Sequence, residues 1–198
     1  MGLTLQIQYR GTLQFTWKYS TLDLKAFYRK WNSMTVITQL PGIQHEIAVK
    51  AIPDDERVWV PQAKDVWFRP LLLNTVTGSW CNLLRVRKSG VLSRHIHPAW
   101  VTGFVIRGSW RYLEHDWVAE EGSFVYEPPG EIHTLVVDEG SGGAPEMITF
   151  FNIHGAMIYV DSDGKQVGYE DVFTKIEMCR KHYIDVGLGS AYVDQFVR

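Results

Sequence analysis

The stretch GVLSRHIHPAWVTGFVIRG, residues 90–108, and the stretch GSFVYEPPGEIHTLVV, residues 122–137, together decide how this chain folds. The first contains the pair His95 and His97, and the second contains His133 after a Pro-Gly turn. Side chains at positions i and i+2 of a strand point to the same face of the sheet. We therefore expect His95 and His97 to present two imidazoles side by side, with His133 completing the set from a neighbouring strand.

Three imidazoles on one face form a donor set for a single metal ion. Neutral imidazole binds first-row metals such as iron, zinc, copper and nickel, and three ligands leave further positions open for a substrate or for dioxygen. The sequence therefore predicts a metal site formed by His95, His97 and His133. The alternative, three histidines with a purely structural role, does not explain why the two motifs occur together and in register.

Runs of residues that favour strands surround these motifs from Val58 onward, with short turn signals between them. They are VWVP, DVWFRPLLLN, SWCNLLRVR, HPAWVTGFVIRG, SWRYLE, SFVYEPP, HTLVVDE, EMITFFNIHG and AMIYVDSDG. This spacing is typical of an all-β sandwich or barrel. A helix is predicted from about Glu170 to Ile184, packed on the barrel as a cover. Its apolar face is predicted by the helical spacing of Val172, Ile176, Cys179 and Tyr183.

The amino-terminal part of the chain differs from the rest. We interpret residues 1–48 as an extension of uncertain role and residues 49–198 as the domain proper. Within the extension, LTLQIQYRGTLQFTWKY alternates like a two-stranded hairpin, and the segment from Ser20 to Trp31 resembles a short amphipathic helix. The extension is either an oligomer-forming or lid segment or a dispensable leader, with Met34 as an alternative start of translation.

Composition is that of an ordinary globular protein and counts against several function classes. Hydrophobic residues make up 45% and charged residues 21% of the 198 residues, and the formal net charge is −2. This charge offers no basic surface for nucleic acid or for a membrane, and no apolar run reaches transmembrane length. Cys81 and Cys179 form no disulfide framework, and no secretory signal is recognisable, so we expect a cytoplasmic protein.

The two histidine-bearing stretches resemble the paired signatures of the cupins. Both are bounded by glycines, they occur in the expected order, and the loop between them has the length of a short inter-motif connection. The first stretch is one residue short between Gly90 and His95. The resemblance implies a single-domain cupin, a double-stranded β-helix or jelly-roll barrel, with a C-terminal helix and an N-terminal extension.

Two positions depart from the usual cupin pattern. Many metal-binding cupins carry a glutamate ligand where this chain has Val101, and the second signature usually ends in asparagine where this chain has Val137. The expected ligand set therefore holds three neutral histidines and no carboxylate. With a divalent metal, such a site keeps a net positive charge and can bind an anionic chelating substrate.

Between residues 51 and 138 the chain also resembles the 2,4′-dihydroxyacetophenone dioxygenase family, including the three histidines and the missing glutamate. Members of that family are small homo-oligomeric cupins with non-haem iron. They cleave the bond between a ketone carbonyl and its hydroxymethyl carbon with dioxygen, giving 4-hydroxybenzoate and formate. The resemblance implies an Fe(II)-dependent dioxygenase acting on a small aromatic ketone and O₂. A homodimer or homotetramer is expected, because exposed strand edges of cupins commonly pair between subunits.

In this interpretation the substrate chelates the iron through its carbonyl and α-hydroxyl oxygens, and a base must accept a proton. Glu127 is the candidate base, because an apolar surrounding raises the pKa of a carboxylate; the alternative is a strand-end glutamate that faces water or pairs with an arginine. Trp100 and Tyr126 flank the histidine-bearing turns and are candidates for substrate binding, with core packing as the alternative. His154 is a weaker candidate for a supporting role near the metal.

Two other functions stay open on the sequence. One is another three-histidine cupin dioxygenase, which acts on a diketone or a similar chelating molecule. The other is a metal-binding sensor cupin that turns nothing over. No DNA-binding or partner-binding motif is recognisable beside the predicted barrel, which counts against the sensor.

Overall fold

The computed structural model describes residues 42–137 and 146–198, together with the backbone of four residues near the amino terminus. The chain divides into two units, Met1–Ile43 and Gln44–Arg198. The second unit contains both histidine-bearing stretches, so it is the one that positions the candidate site.

In the first unit, strands β1 (Thr16–Trp17) and β2 (Ser20–Thr21) form an antiparallel pair in which Thr16 faces Thr21. The start of the helix expected from Ser20 is therefore extended instead. The remainder of that helix and most of the expected hairpin lie outside the described residues. The role expected for the extension stays a prediction.

The second unit is built from two six-stranded antiparallel sheets. Its strands are β3 (Val60–Ala63), β4 (Val66–Asn74), β5 (Ser79–Val86), β6 (Gly90–Ile96), β7 (Val101–Arg107), β8 (Ser109–Tyr112), β9 (Ala119–Glu120), β10 (Phe124–Glu127), β11 (Ile132–Val137), β12 (Met147–His154), β13 (Ala156–Val160) and β14 (Gln166–Asp171). The first sheet has the order β10-β7-β12-β5-β4-β3, and the second has the order β14-β13-β6-β11-β8-β9. The predicted all-β architecture is confirmed.

The core lies between the two sheets, because alternate side chains of each strand point inward. Trp80 and Val105 come from the first sheet and Trp110 from the second, and all three are fully buried in one cluster. Burial of each large apolar side chain contributes about 1.5–3 kcal/mol, so this shared core holds the sheets together. The same inward alternation directs the functional side chains toward the barrel interior.

The expected C-terminal helix is present as α1 (Val172–Asp185) and begins two residues later than predicted. Asp171 caps it: the Asp171 carboxylate accepts from the Thr174 N–H at 2.8 Å, and the Asp171 N–H donates to the Thr174 hydroxyl at 2.8 Å. The Tyr183 hydroxyl donates to the carbonyl of Val58 at 3.2 Å and anchors the far end of the helix. In the described part of the chain, no helix has the length and apolar character needed to cross a membrane.

The buried face of α1 differs from the predicted one at a single position. Val172, Cys179 and Tyr183 are buried as expected, but Ile176 is only partly buried and Lys175 is buried instead. A lysine is almost never fully buried unless it is paired. The burial of Lys175 therefore requires a partner inside the barrel.

Candidate metal centre

The three histidines converge in the second sheet. His95 lies on β6, His97 follows directly after that strand, and His133 lies on β11. These strands are antiparallel neighbours whose register places His95 opposite His133. One ligand nitrogen from each histidine lies within 4.8 Å of the others, and the Nε2 atoms of His95 and His133 are 3.2 Å apart. The structure brings together the three residues that the sequence predicted as metal ligands.

Hydrogen bonds orient two of these rings. The Nδ1 of His97 lies 3.1 Å from the carbonyl oxygen of Ala156. A carbonyl only accepts, so Nδ1–H donates and the lone pair of Nε2 is left for a ligand. The Nδ1 of His95 is 3.1 Å from the Ser93 hydroxyl oxygen, and this hydrogen bond orients the second ring.

Burial favours the neutral form of all three imidazoles. It lowers the pKa of His97 to about 4 and the pKa of His133 to about 3. Burial and the two neighbouring histidines also hold the pKa of His95 well below its usual value. Neutral imidazole is the form that binds a metal, and nitrogen nuclei 3.2 Å apart have a spacing that fits two ligands of one first-row ion. The donor set therefore fits a mononuclear non-haem metal.

Glu127 lies against the same three rings. Its Oε2 is 3.7 Å from the Nε2 of His97 and 3.6 Å from the Nε2 of His133. Glu127 is buried, and neither carboxylate oxygen has a hydrogen-bond partner of good geometry among the described residues. Burial raises its pKa to about 7, although the nearby Tyr112 hydroxyl lowers it. A carboxylate with unused acceptors thus faces the ligand nitrogens.

The residues that could hold a metal are the three expected histidines, and Glu127, the candidate base, lies beside them. Strands β7 and β10 pair so that Glu127 lies directly opposite Val101, the residue that stands where other cupins have a glutamate. A carboxylate on the neighbouring strand therefore lies beside the histidines, outside the three-residue group that could hold a metal. The register of Glu127 with Val101 is not visible in the histidine motif, because strand pairing brings together residues that are distant in sequence.

Glu127 and His133 reach the metal centre from different strands. Glu127 ends β10 in the first sheet, whereas His133 belongs to β11 in the second sheet. The Pro-Pro-Gly turn between them changes sheets, and its Gly130 N–H donates to the His97 carbonyl at 2.9 Å. Gly130 has φ +91°, a conformation that favours glycine, so this turn is held against the metal centre.

A cavity of about 270 Å³ opens beside the histidines. His95, His97, Tyr112 and Glu127 contribute the polar part of its wall near the metal centre. Much of the remaining wall is apolar and includes Val66, Trp80, Leu92, Leu135, Phe151 and Ile153. Ligand pockets usually range from roughly 300 to 1,000 Å³, so this one suits a small molecule.

Neither of the two predicted substrate-binding residues, Trp100 and Tyr126, lines this cavity. Tyr126 is 57% exposed, because neighbouring residues of a strand face opposite sides and Glu127 already faces inward. Trp100 is 38% exposed and stacks on His154, with ring centroids 3.8 Å apart. Neither aromatic side chain lines the cavity, and His154 does not line it either.

Sequence reasoning missed Tyr112, which lines the cavity and stacks on His133. The ring centroids are 3.9 Å apart and the planes differ by 5°, so Tyr112 holds the orientation of the imidazole. Alternation in the run SWRYLE was the available signal, since it places Trp110 and Tyr112 on one face. Lys175 was missed as well, although it lies three residues after Val172 on the apolar side of the helix.

Comparisons with known proteins agree with this architecture. The family model of the ChrR cupin-like domain matches residues 48–157. An RmlC-like cupin from Ralstonia eutropha JMP134 is 29% identical, with 71% of this chain and 91% of that chain covered and a TM-score of 0.62. No curated protein matches the chain.

Two further solved structures share the fold at lower identity. A protein of unknown function with a cupin-like fold from Ralstonia eutropha JMP134 is 20% identical, covering 62% of this chain and 75% of that chain with a TM-score of 0.57. An acetylacetone dioxygenase from Acinetobacter johnsonii is 15% identical, covering 72% of this chain and 97% of that chain with a TM-score of 0.57. These likenesses confirm the predicted cupin fold.

Proposed function

The chain belongs to the ChrR cupin-like domain family, and from that membership and its metal centre we propose that it is a non-haem Fe(II) dioxygenase. The proposed substrate is an aryl α-hydroxyketone of the 2,4′-dihydroxyacetophenone kind, cleaved to 4-hydroxybenzoate and formate. The bond between the carbonyl carbon and the hydroxymethyl carbon breaks, both carbons become carboxyl carbons, and both atoms of O₂ enter the products.

The observation that carries this proposal is the position of Glu127. Its carboxylate lies within 4 Å of two ligand histidines, in the wall of a small and mostly apolar cavity. A substrate that binds the metal through adjacent carbonyl and hydroxyl oxygens needs a nearby group that accepts a proton. A purely structural glutamate would be expected to have well-aligned hydrogen-bond partners, which this one lacks among the described residues.

The residues around the cavity have different roles in the proposed reaction. His95, His97 and His133 would hold the iron, which when bound supplies Lewis-acid polarisation and the redox chemistry that zinc lacks. Glu127 accepts the proton from the α-hydroxyl group or from the carbon that bears it. The Tyr112 hydroxyl lies near enough to influence the charge of that carboxylate. The apolar walls exclude water and hold the aromatic ring.

Two other functions have specific support. The shared fold with an acetylacetone dioxygenase favours a diketone as substrate, because a diketone also presents two oxygens to one metal. The ChrR name of the family favours a metal-binding regulatory cupin without turnover. The α-hydroxyketone is preferred to the diketone because of the motif resemblance, and Glu127 as an available base favours turnover over a purely regulatory role.

Purified protein reconstituted with Fe(II) under anaerobic conditions distinguishes the three functions. Oxygen uptake on addition of 2,4′-dihydroxyacetophenone, with one 4-hydroxybenzoate and one formate per O₂, supports the proposal. Turnover of acetylacetone alone transfers the assignment to a diketone dioxygenase. Bound iron without oxygen consumption on either substrate refutes both enzymatic functions and leaves the regulatory one.

We also propose that the chain forms a homodimer or homotetramer. Phe104 and Phe124 are register partners on β7 and β10, and they are 46% and 67% exposed. Together with Tyr126 they form an exposed aromatic surface at a sheet edge, and such surfaces often mark interfaces. Light scattering on protein eluted from a size-exclusion column gives the mass of the assembly. A monomer at micromolar concentration would contradict this proposal.

A further inference from the structure

The cavity has a second polar region, formed by residues that the metal centre does not use. The Nζ of Lys175 lies 2.7 Å from the Oε2 of Glu170. The amide nitrogen of Gln62 donates to the same Oε2 at 3.1 Å and to the Tyr159 hydroxyl at 2.9 Å. All four side chains line the cavity. We call Gln62, Tyr159, Glu170 and Lys175 the distal cluster.

Sheet topology separates the distal cluster from the metal centre. In the second sheet, β6 carries His95, β13 carries Tyr159 and β14 carries Glu170, in that lateral order. Neighbouring strands lie about 4.8 Å apart, so the backbones of β6 and β14 are separated by about 10 Å. Tyr159 faces His95 in register and extends its hydroxyl to Gln62, so its ring connects the two regions along the wall.

Stability alone gives little reason to place an ion pair here. The side chains of Lys175 and Glu170 are 3% and 11% exposed, and replacement of a buried ion pair by apolar residues is often neutral or stabilising. The neighbours of Lys175 on the buried face of α1 are Val172 and Cys179, beside which an apolar residue would pack well. The pair therefore calls for a role within the cavity.

The chemistry of the pair indicates what it can recognise. An ammonium has three donors, and the contacts of Lys175 in the described structure are the Glu170 carboxylate and the face of the Phe68 ring, 4.2 Å from Nζ. Lys175 offers a donor and Glu170 an acceptor, with no net charge between them. A hydroxyl group both donates and accepts, so it satisfies both partners, whereas an added carboxylate would lie against Glu170.

We propose that the distal cluster is a specificity site, in which Lys175 and Glu170 bind a hydroxyl group on the aromatic ring of the substrate, at the end of the ring opposite the metal-binding oxygens. This inference rests on the proposed function and assigns recognition of the ring hydroxyl of that substrate to named residues. Lys175 donates to the ring oxygen, Glu170 accepts from the ring hydroxyl, and Gln62 holds the Glu170 carboxylate. The apolar wall between the two polar regions holds the ring.

The test compares 2,4′-dihydroxyacetophenone with 2-hydroxyacetophenone, which lacks the ring hydroxyl. In the iron-loaded protein we expect kcat/KM to favour the hydroxylated ketone by about 100-fold, because the analogue gives the charged side chains no hydrogen-bond partner. The double variant Lys175→Met/Glu170→Gln leaves no buried unpaired charge and should reduce that preference below about 5-fold. A purely structural role would lower kcat/KM for both ketones equally and leave their ratio unchanged.

Lys181→Met is the matched control, because Lys181 is an exposed lysine of the same helix, and it should keep the wild-type ratio. Equal kcat/KM for both ketones in the wild-type protein would overturn the specificity site while leaving the dioxygenase proposal intact. If the iron-loaded protein turns over neither ketone, the dioxygenase proposal fails. In that case the affinities for 4-hydroxybenzoate and benzoate, measured by calorimetry, test whether the distal cluster binds a ring hydroxyl. Equal affinities would overturn that proposal.

Discussion

The two polar regions of the cavity differ in how the chain builds them. The metal centre is made from His95, His97 and His133, which lie in two short motifs on adjacent strands. The distal cluster is assembled from four elements that span residues 62 to 175. The first region is visible in the sequence because its spacing is local, whereas the second exists only after β3, β13, β14 and α1 have met. Under the two proposals, chemistry and substrate specificity are thus encoded on different length scales.

Substitutions in the metal centre should have larger effects than substitutions in the distal cluster. His95→Ala removes one of three ligands, so the affinity for Fe(II) should fall by more than about 100-fold, since even loss of a supporting partner costs up to that much. Metal analysis after dialysis measures the occupancy. His45→Ala is the control, because His45 is exposed, and it should keep full occupancy. Wild-type iron content in His95→Ala would refute the ligand assignment.

Glu127→Gln tests the part of the metal centre that comes from the other sheet. We expect kcat to fall by about 10²- to 10⁴-fold, the usual contribution of a positioned base, with iron content unchanged. Steady-state oxygen uptake and metal analysis give both quantities, and Glu121→Gln is an exposed control. Unchanged turnover would show that Glu127 is only structural, and a parallel loss of iron would make it a ligand.

Lys175→Met tests the ion pair of the distal cluster. It leaves the Glu170 carboxylate buried without its cation, so the free energy of unfolding should fall by about 3–5 kcal/mol. Urea denaturation measures the change. Adding Glu170→Gln should restore most of the loss, because both charges are then absent. Single and double variants of equal stability would mean that the two side chains are not coupled.

The smallest effect is expected at a supporting hydrogen bond. Ser93→Ala removes the hydroxyl 3.1 Å from the Nδ1 of His95, so iron affinity should fall by about 10-fold with the fold unchanged. Competition with a chelator measures that affinity, and Ser190→Ala serves as an exposed control. An unaltered affinity would show that the strand alone orients His95.

Local patterns predicted much of the fold and the ligands. Alternation identified most of the strands, and helical spacing placed α1 within two residues of its observed start. The same alternation, applied more strictly, would have separated Tyr126 from Glu127, since adjacent strand residues cannot both face the cavity. Lys175 could have been suspected from its position between Val172 and Cys179 on an otherwise apolar face.

Contacts that depend on which strands pair could not be predicted from local sequence patterns. That Glu127 lies opposite Val101 depends on β10 joining β7 rather than β11, a choice made by the whole barrel. Gln62 meets Glu170 across 108 residues of sequence for the same reason. Such contacts depend on how complete sheets close on each other, and no short window of residues contains that information.

The position of Lys175 on α1 has a consequence for how the substrate preference of this protein can be altered. The helix has its own cap at Asp171 and its own anchor from Tyr183 to Val58, and it carries no metal ligand. Under the proposed function, we expect paired substitutions of Lys175 and Glu170 to change which aromatic ring is accepted, because they leave the three metal ligands in place. Variants of this pair, rather than of the core residues beside it, are therefore the ones to screen for new substrate ranges.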